Sequence, residues 1–232
     1  MSKIPAELQL SEELPNDVPK ALVPLKNQAL EASDPLTKQK FQLSVEQRGK
    51  NHVIAIARFS QRIETIDVNT TTNSSNKQIA RVEKLLQETI APSWWDKLWD
   101  RFTGSTAAKL STLNKSIPTL HELKDQCIRQ EALLIAEQTS IRQNLLDLKE
   151  EITAFKALHR DLDALGTDQA FDVLQHQQHL MTSYTVGLQG YAMVAMMLDG
   201  IRTVILSIDR IYTQTLTALR VSHQVAGTLT KS

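Results

Sequence analysis

The 232-residue sequence has little of what breaks or staples a chain: 7 Gly, 7 Pro, a single Cys and 5% aromatic residues. One thiol, Cys127, forms no intramolecular disulfide, so no disulfide framework organises the fold. The charges leave no excess of either sign, 26 Lys plus Arg against 26 Asp plus Glu. Such a balance sets up no global field toward nucleic acid or an anionic surface, and no nucleic-acid partner is expected. Met1 to Leu10 lacks the basic start and apolar run of a secretion signal, which points to a cytoplasmic protein. The glycines are isolated, so no Gly-rich phosphate loop is present.

What remains is a composition of helix formers, rich in Leu, Ala, Gln, Lys and Glu. Prolines 5, 15, 19 and 24 crowd the start, where acidic residues and the lack of a period predict a flexible tail over residues 1–32. Residues 33–232 are expected to form one all-α domain, an elongated bundle of long antiparallel helices with coiled-coil-like packing. The spacing predicts helices over 34–67, 77–90, 93–102, 105–117, 119–165, 168–198 and 201–229. Asp34 before Pro35 caps the first of these. The polar run Asn69 to Asn76 reads as a loop, and Pro118 as a helix stop followed by a long helix to Gly166. In that helix Leu134, Ile141, Leu145, Leu148, Ile152, Phe155 and Leu162 alternate three and four spacings, the mark of a coiled-coil-like seam.

Chemical motifs are sparse. His159-Arg160-Asp161-Leu162 copies the start of a kinase catalytic loop, but Leu165 stands where that loop needs its metal-binding Asn. His176 and His179 share a helix side without a third ligand at metal-site spacing, so no metal and no cofactor is expected. Cys127 lacks a resolving thiol and reads as a small buried hydrophobe. No catalytic residues are assigned, and the chain is read as a non-enzyme. Direct oxyanion binding is not expected either, because converging donors are missing.

Two features point outward. Trp94, Trp95 and Trp99, all the tryptophans of the chain, fall within six residues and are a candidate membrane or partner anchor. Leu180 to Leu198 carries no charge over nineteen residues, yet its Thr, Ser, Gln and Gly content favours a protein helix over a bilayer span.

From Leu174 to Leu229 the sequence resembles the TelA-type toxic anion (tellurite) resistance family of bacteria. The match is carried by Gln175, Gln178, Leu180, Thr182, Val186, the triplet Gln189-Gly190-Tyr191, then Asp209-Arg210, Thr213, Thr215 and Ala218-Leu219-Arg220. The resemblance implies a shortened member of a cytoplasmic helical family tied to toxic-anion or envelope stress, and supplies no catalytic residues. The expected function is a scaffold with protein partners or self-association. The alternative is a membrane-active helical protein of the pore-forming-toxin type, with peripheral membrane contact.

Gln175, Gln178, Thr182, Gln189, Gly190, Tyr191, Asp209, Arg210, Thr213 and Arg220 are the candidate interhelical or partner-binding residues. If Asp199-Gly200 closed an antiparallel hairpin over 168–229, Gln189 would face Asp209, Thr182 would face Thr217 and Gln178 would face Arg220. A buried polar seam would result.

Overall fold

The computed structural model describes residues 4–10, 15–90 and 105–229, with no strand among them. The fold is all-α, as the composition predicts. The helices are α1 (Val23–Glu31), α2 (Pro35–Gln47), α3 (Lys50–Thr65), α4 (Val68–Ile90), α5 (Ser105–Ala164) and α6 (Gln169–Leu229), preceded by 3-10 turns at Ala6–Leu8 and Lys20–Leu22. They are grouped into two compact units, one of residues 1–65 and 135–196, the other of 66–134 and 197–232.

In the first unit, α1 to α3 pack on the antiparallel pair made by residues 135–164 of α5 and 169–196 of α6. Asp34 caps α2 as expected: its carboxylate accepts the Leu36 and Thr37 amides, and Thr37 returns a bond to the Asp34 backbone. These bonds hold the Asp34 carboxyl below its ordinary pKa. The helix expected over 34–67 is interrupted at Arg48-Gly49, because Gly49 takes φ +70° and a Cβ there would come 2.9 Å from Leu180 Cδ2. At Gly166 (φ +65°) α5 stops as expected. The Gly166 amide reaches the Asp163 carbonyl and the Thr167 amide reaches the Leu162 carbonyl, a double bond pattern that closes the helix end.

The flexible tail expected at 1–32 is instead tied down over its described residues. Leu8, Leu22, Leu25, Ala29 and Ala32 are buried. Tyr184 Oη donates to the Leu8 carbonyl, Lys149 Nζ to the Glu7 carbonyl (2.6 Å) and Arg160 to the Pro15 and Asn16 carbonyls (3.0 and 2.7 Å). The burial is aperiodic, so a periodicity reading does not register it.

In the second unit, α4 packs with residues 105–134 of α5 and 197–229 of α6. The loop expected at Asn69–Asn76 is helical, because Thr71 and Ser75 fall on the buried stripe of Val68, Ile79, Val82 and Leu86. Their polarity is satisfied inside: Gln130 and Gln126 donate to Thr71 Oγ1 at 2.8 and 3.2 Å, and Thr71 Oγ1 donates to the Asp67 carbonyl at 3.1 Å. Ser75 Oγ lies 3.9 Å from Cys127 Sγ. Packing thus overrides weak local propensity.

Two expected boundaries vanish. Pro118 lies inside α5, its ring exposed between buried Leu113 and Leu120, so the stop expected there does not occur. The hairpin expected at Asp199-Gly200 is likewise corrected, for α6 runs unbroken from Gln169 to Leu229 and Gly200 has no positive φ. A helical Gly costs about 1 kcal/mol relative to Ala. Buried Leu198, Ile201 and Val204 on both sides of it continue the same apolar stripe and outweigh that penalty.

Candidate interaction surface

Each turn of α6 in the first unit has an inward and an outward job. Inward, Val173, Leu180, Tyr184 and Val194 are buried, and the two glycines of this stretch let neighbouring helices approach. A Cβ at Gly187 would come 2.8 Å from Leu145 Cδ2 and 3.2 Å from Ile56 Cδ1, and one at Gly190 would come 2.6 Å from Phe59 Cε1. Gly190 therefore serves packing. Tyr191 beside it is half-buried.

Outward, Gln175, Gln178, Thr182 and Gln189 are exposed, and Thr182 Oγ1 donates to the Gln178 carbonyl at 3.0 Å. Between them and beyond them stand exposed apolar side chains: Phe171 (69%), Val186 (47%), Met193 (41%) and Met196 (62%). From Gln169 to Leu198 the ionisable side chains other than tyrosines are Asp172, His176 and His179. Asp172 accepts the Gln42 amide at 3.1 Å, and His176 Nε2 lies 3.0 Å from the Arg48 carbonyl. The outward stripe itself is uncharged.

Beside the stripe lies a groove of about 410 Å³ lined by Gln42, Asp172, Gln175, His176 and His179. The His176 ring meets Phe155 edge-on, with centroids 5.0 Å apart, and burial pushes its pKa below the ordinary histidine value. The Arg48 carbonyl and Glu46 favour the proton, while the nearby His179 opposes it. Among the described residues no group of three or more His, Cys, Asp or Glu side chains converges in a way that could hold a metal ion.

The candidates in the second unit are engaged in ion pairs. Asp209 meets Lys124 at 2.6 Å, and Arg210 meets Glu83 at 2.7 Å. Thr213 and Arg220 are exposed. The polar seam expected between Gln189 and Asp209, Thr182 and Thr217, and Gln178 and Arg220 does not exist, since residues of one straight run of helix have no facing positions. Thr217 instead donates to the Thr213 carbonyl at 2.9 Å. Trp94, Trp95 and Trp99 lie outside the described residues. No family model, curated protein or solved structure matches this chain.

Sequence reasoning did not find Gly49, Gly187 or Leu8 as structural determinants. For Gly187 a signal was present: it precedes Gly190 by three residues, which sets both on one helix side. The central polar layer of the second unit had none, because Thr71 and Ser75 sit in a run that reads as a loop. Cys127 at its edge is fully buried, and burial pushes its thiol pKa up despite the Ser75 contact.

Proposed function

We propose that this chain is a non-enzymatic helical scaffold that presents the outward stripe of α6 to protein partners, in the service of toxic-anion (tellurite) or envelope-stress resistance in a bacterial cytoplasm. The observation that supports a scaffold is the stripe: Gln175, Gln178, Thr182 and Gln189 are exposed together with Phe171, Val186, Met193 and Met196, without a charge among them. Exposed apolar side chains rimmed by uncharged polar ones mark interaction surfaces, because charge is what a desolvated interface core excludes. The link to toxic anions rests on the residues shared with the TelA-type family, and self-association is one form the partnership takes. Growth of a deletion strain on tellurite, with and without the gene restored, tests the link. Restored growth is expected, and unchanged sensitivity across several toxic anions refutes it.

A second reading is a membrane-active helical protein, and it has its own observation. Within Gln169–Val221 an eighteen-residue window of mean hydropathy 1.5 is long and apolar enough to cross a bilayer, and only 33% of it is buried. A core helix of a soluble protein meets the same criterion when buried, so the exposed share is what favours a lipid contact. Flotation with anionic and neutral vesicles and dye release decide it: strong binding lost on changing Trp94, Trp95 and Trp99 to Ala favours this reading over the scaffold.

A further inference from the structure

We infer that the outward stripe of α6 binds a second copy of this chain, antiparallel, about a twofold axis passing between Ser183 and Tyr184. The inference rests on the scaffold reading and names its partner. A closed twofold contact is self-complementary: if residue i of one copy meets residue j of the other, then j meets i. In two antiparallel helices the meeting positions have residue numbers of constant sum. Heptad spacing along the outward face selects positions 171, 175, 178, 182, 185, 189, 192 and 196, alternating steps of four and three.

With a sum of 367 these eight positions pair among themselves, and the chemistry is symmetric. Phe171 meets Met196, apolar on apolar. Gln178 meets Gln189, where each amide both donates and accepts. Thr182 meets Thr185 at the axis. In all three pairs both members are exposed in the single chain. The remaining layer sets Gln175 against Ala192, and the flanking Val186 and Met193 fall opposite half-buried Met181 and Leu174. No layer brings like charges together. Over these twenty-six residues the contact runs roughly 37 Å along the helix at 1.5 Å per residue.

The polar central layers fix the register. A shift by one heptad sets Phe171 against Gln189 and Gln178 against Thr182, leaving amides without amide partners. Parallel pairing sets each residue on its own copy and offers no such correspondence between unlike positions. An uncharged contact is also insensitive to screening, so association varies little between low and high salt.

Charge placement tests the pairing, because two variants with altered residues at the same two exposed positions have opposite expected outcomes. In Gln178→Glu with Gln189→Glu, each copy opposes a carboxylate to a carboxylate in two layers. In Gln178→Lys with Gln189→Glu, each copy opposes an ammonium to a carboxylate in the same layers. Sedimentation equilibrium of the full chain is expected to show a wild-type dimer, dissociation weakened at least about tenfold in favour of monomer for the Glu/Glu variant, and a dimer within about threefold of wild type for the Lys/Glu variant. Far-UV circular dichroism checks that both variants remain helical, and mixing Thr182→Cys with Thr185→Cys chains on a Cys127→Ser background is expected to give a disulfide-linked heterodimer. A wild type that is monomeric at about 200 µM, a concentration at which even a weak contact of about 10 µM dissociation constant is occupied, overturns the inference. So does equal behaviour of the two charge variants, or a monomeric chain that instead floats with neutral vesicles. Resistance in the deletion strain is read separately: if the wild-type gene restores growth while the purified chain stays monomeric, the pairing falls and the scaffold reading stands. A dimer with no effect of deletion on growth gives the reverse.

Discussion

Gly190 and Gly200 lie on one helix, and the same substitution at the two positions should have opposite signs. Replacing a helical Gly by Ala stabilises a helix by about 1 kcal/mol through backbone entropy alone. At Gly200 nothing lies within 4 Å of the added methyl, so that gain is expected in full. At Gly190 the methyl would sit 2.6 Å from Phe59 Cε1, about 1 Å inside ordinary carbon contact. Phe59 is 1% exposed, so its ring has little room to move and the helices must part. Overpacking of this kind costs about 1–3 kcal/mol, which exceeds the helix gain and leaves Gly190→Ala destabilised by about 1 kcal/mol. The two variants should therefore differ by about 2 kcal/mol in urea unfolding followed by far-UV ellipticity, with amide exchange of each unit reporting which part of the chain is affected. Shortening the ring tests the cause. In a Phe59→Leu background, Gly190→Ala is expected to lose its penalty, a coupling of about 1–2 kcal/mol between the sites. Equal stabilisation at both glycines, or additivity with Phe59→Leu, refutes the close-approach argument.

Two further outcomes follow from buried titratable groups. Cys127 is fully buried with its thiol pKa raised, so a thiol reagent at pH 8 should modify it only as the protein unfolds; rapid labelling of folded protein would contradict its placement. His176 has its pKa lowered by burial, so its contribution to stability is present above the unfolded value of about 6.5 and is lost as the pH falls through the folded value. Unfolding measured between pH 7.5 and 5 should show that loss, with His176→Gln flattening the profile, and an imidazole resonance titrating at or above 6.5 would reverse the sign.

Much of the fold was legible because burial repeats. The seven-residue spacing of Leu113, Leu120, Cys127, Leu134, Ile141, Leu148, Phe155 and Leu162 is visible in the sequence, and all eight side chains are buried. Illegible were the places where one strong local signal met a stronger distant one. Pro118 and Asp199-Gly200 read as breaks because each is costly in an isolated helix, but the helices continue because the apolar stripe does not stop there. The reverse happened at Gly49, where an unbroken run of apolar positions concealed a turn that only a positive φ reveals. Thr71 and Ser75 follow the same logic, since their burial depends on Gln126 and Gln130, some fifty-five residues away in the chain.

The candidate surface was legible as a set of residues and illegible as a division of labour. Gln189, Gly190 and Tyr191 stand together in sequence, yet Gln189 is exposed and Gly190 meets Phe59. Adjacent residues on a helix point about 100° apart, so a contiguous motif is shared between a packed face and a free one. For the same reason a similarity carried by this triplet combines a constraint on packing with one on recognition. Substitution separates them: Gly190→Ala changes stability through Phe59, whereas Gln178 and Gln189, which the helix turns to solvent, bear charge without disturbing the core. A face whose residues tolerate charge in the isolated chain but lose association when it is added is under constraint from a partner, and that distinction can be made at Gln178 and Gln189 independently of any resemblance.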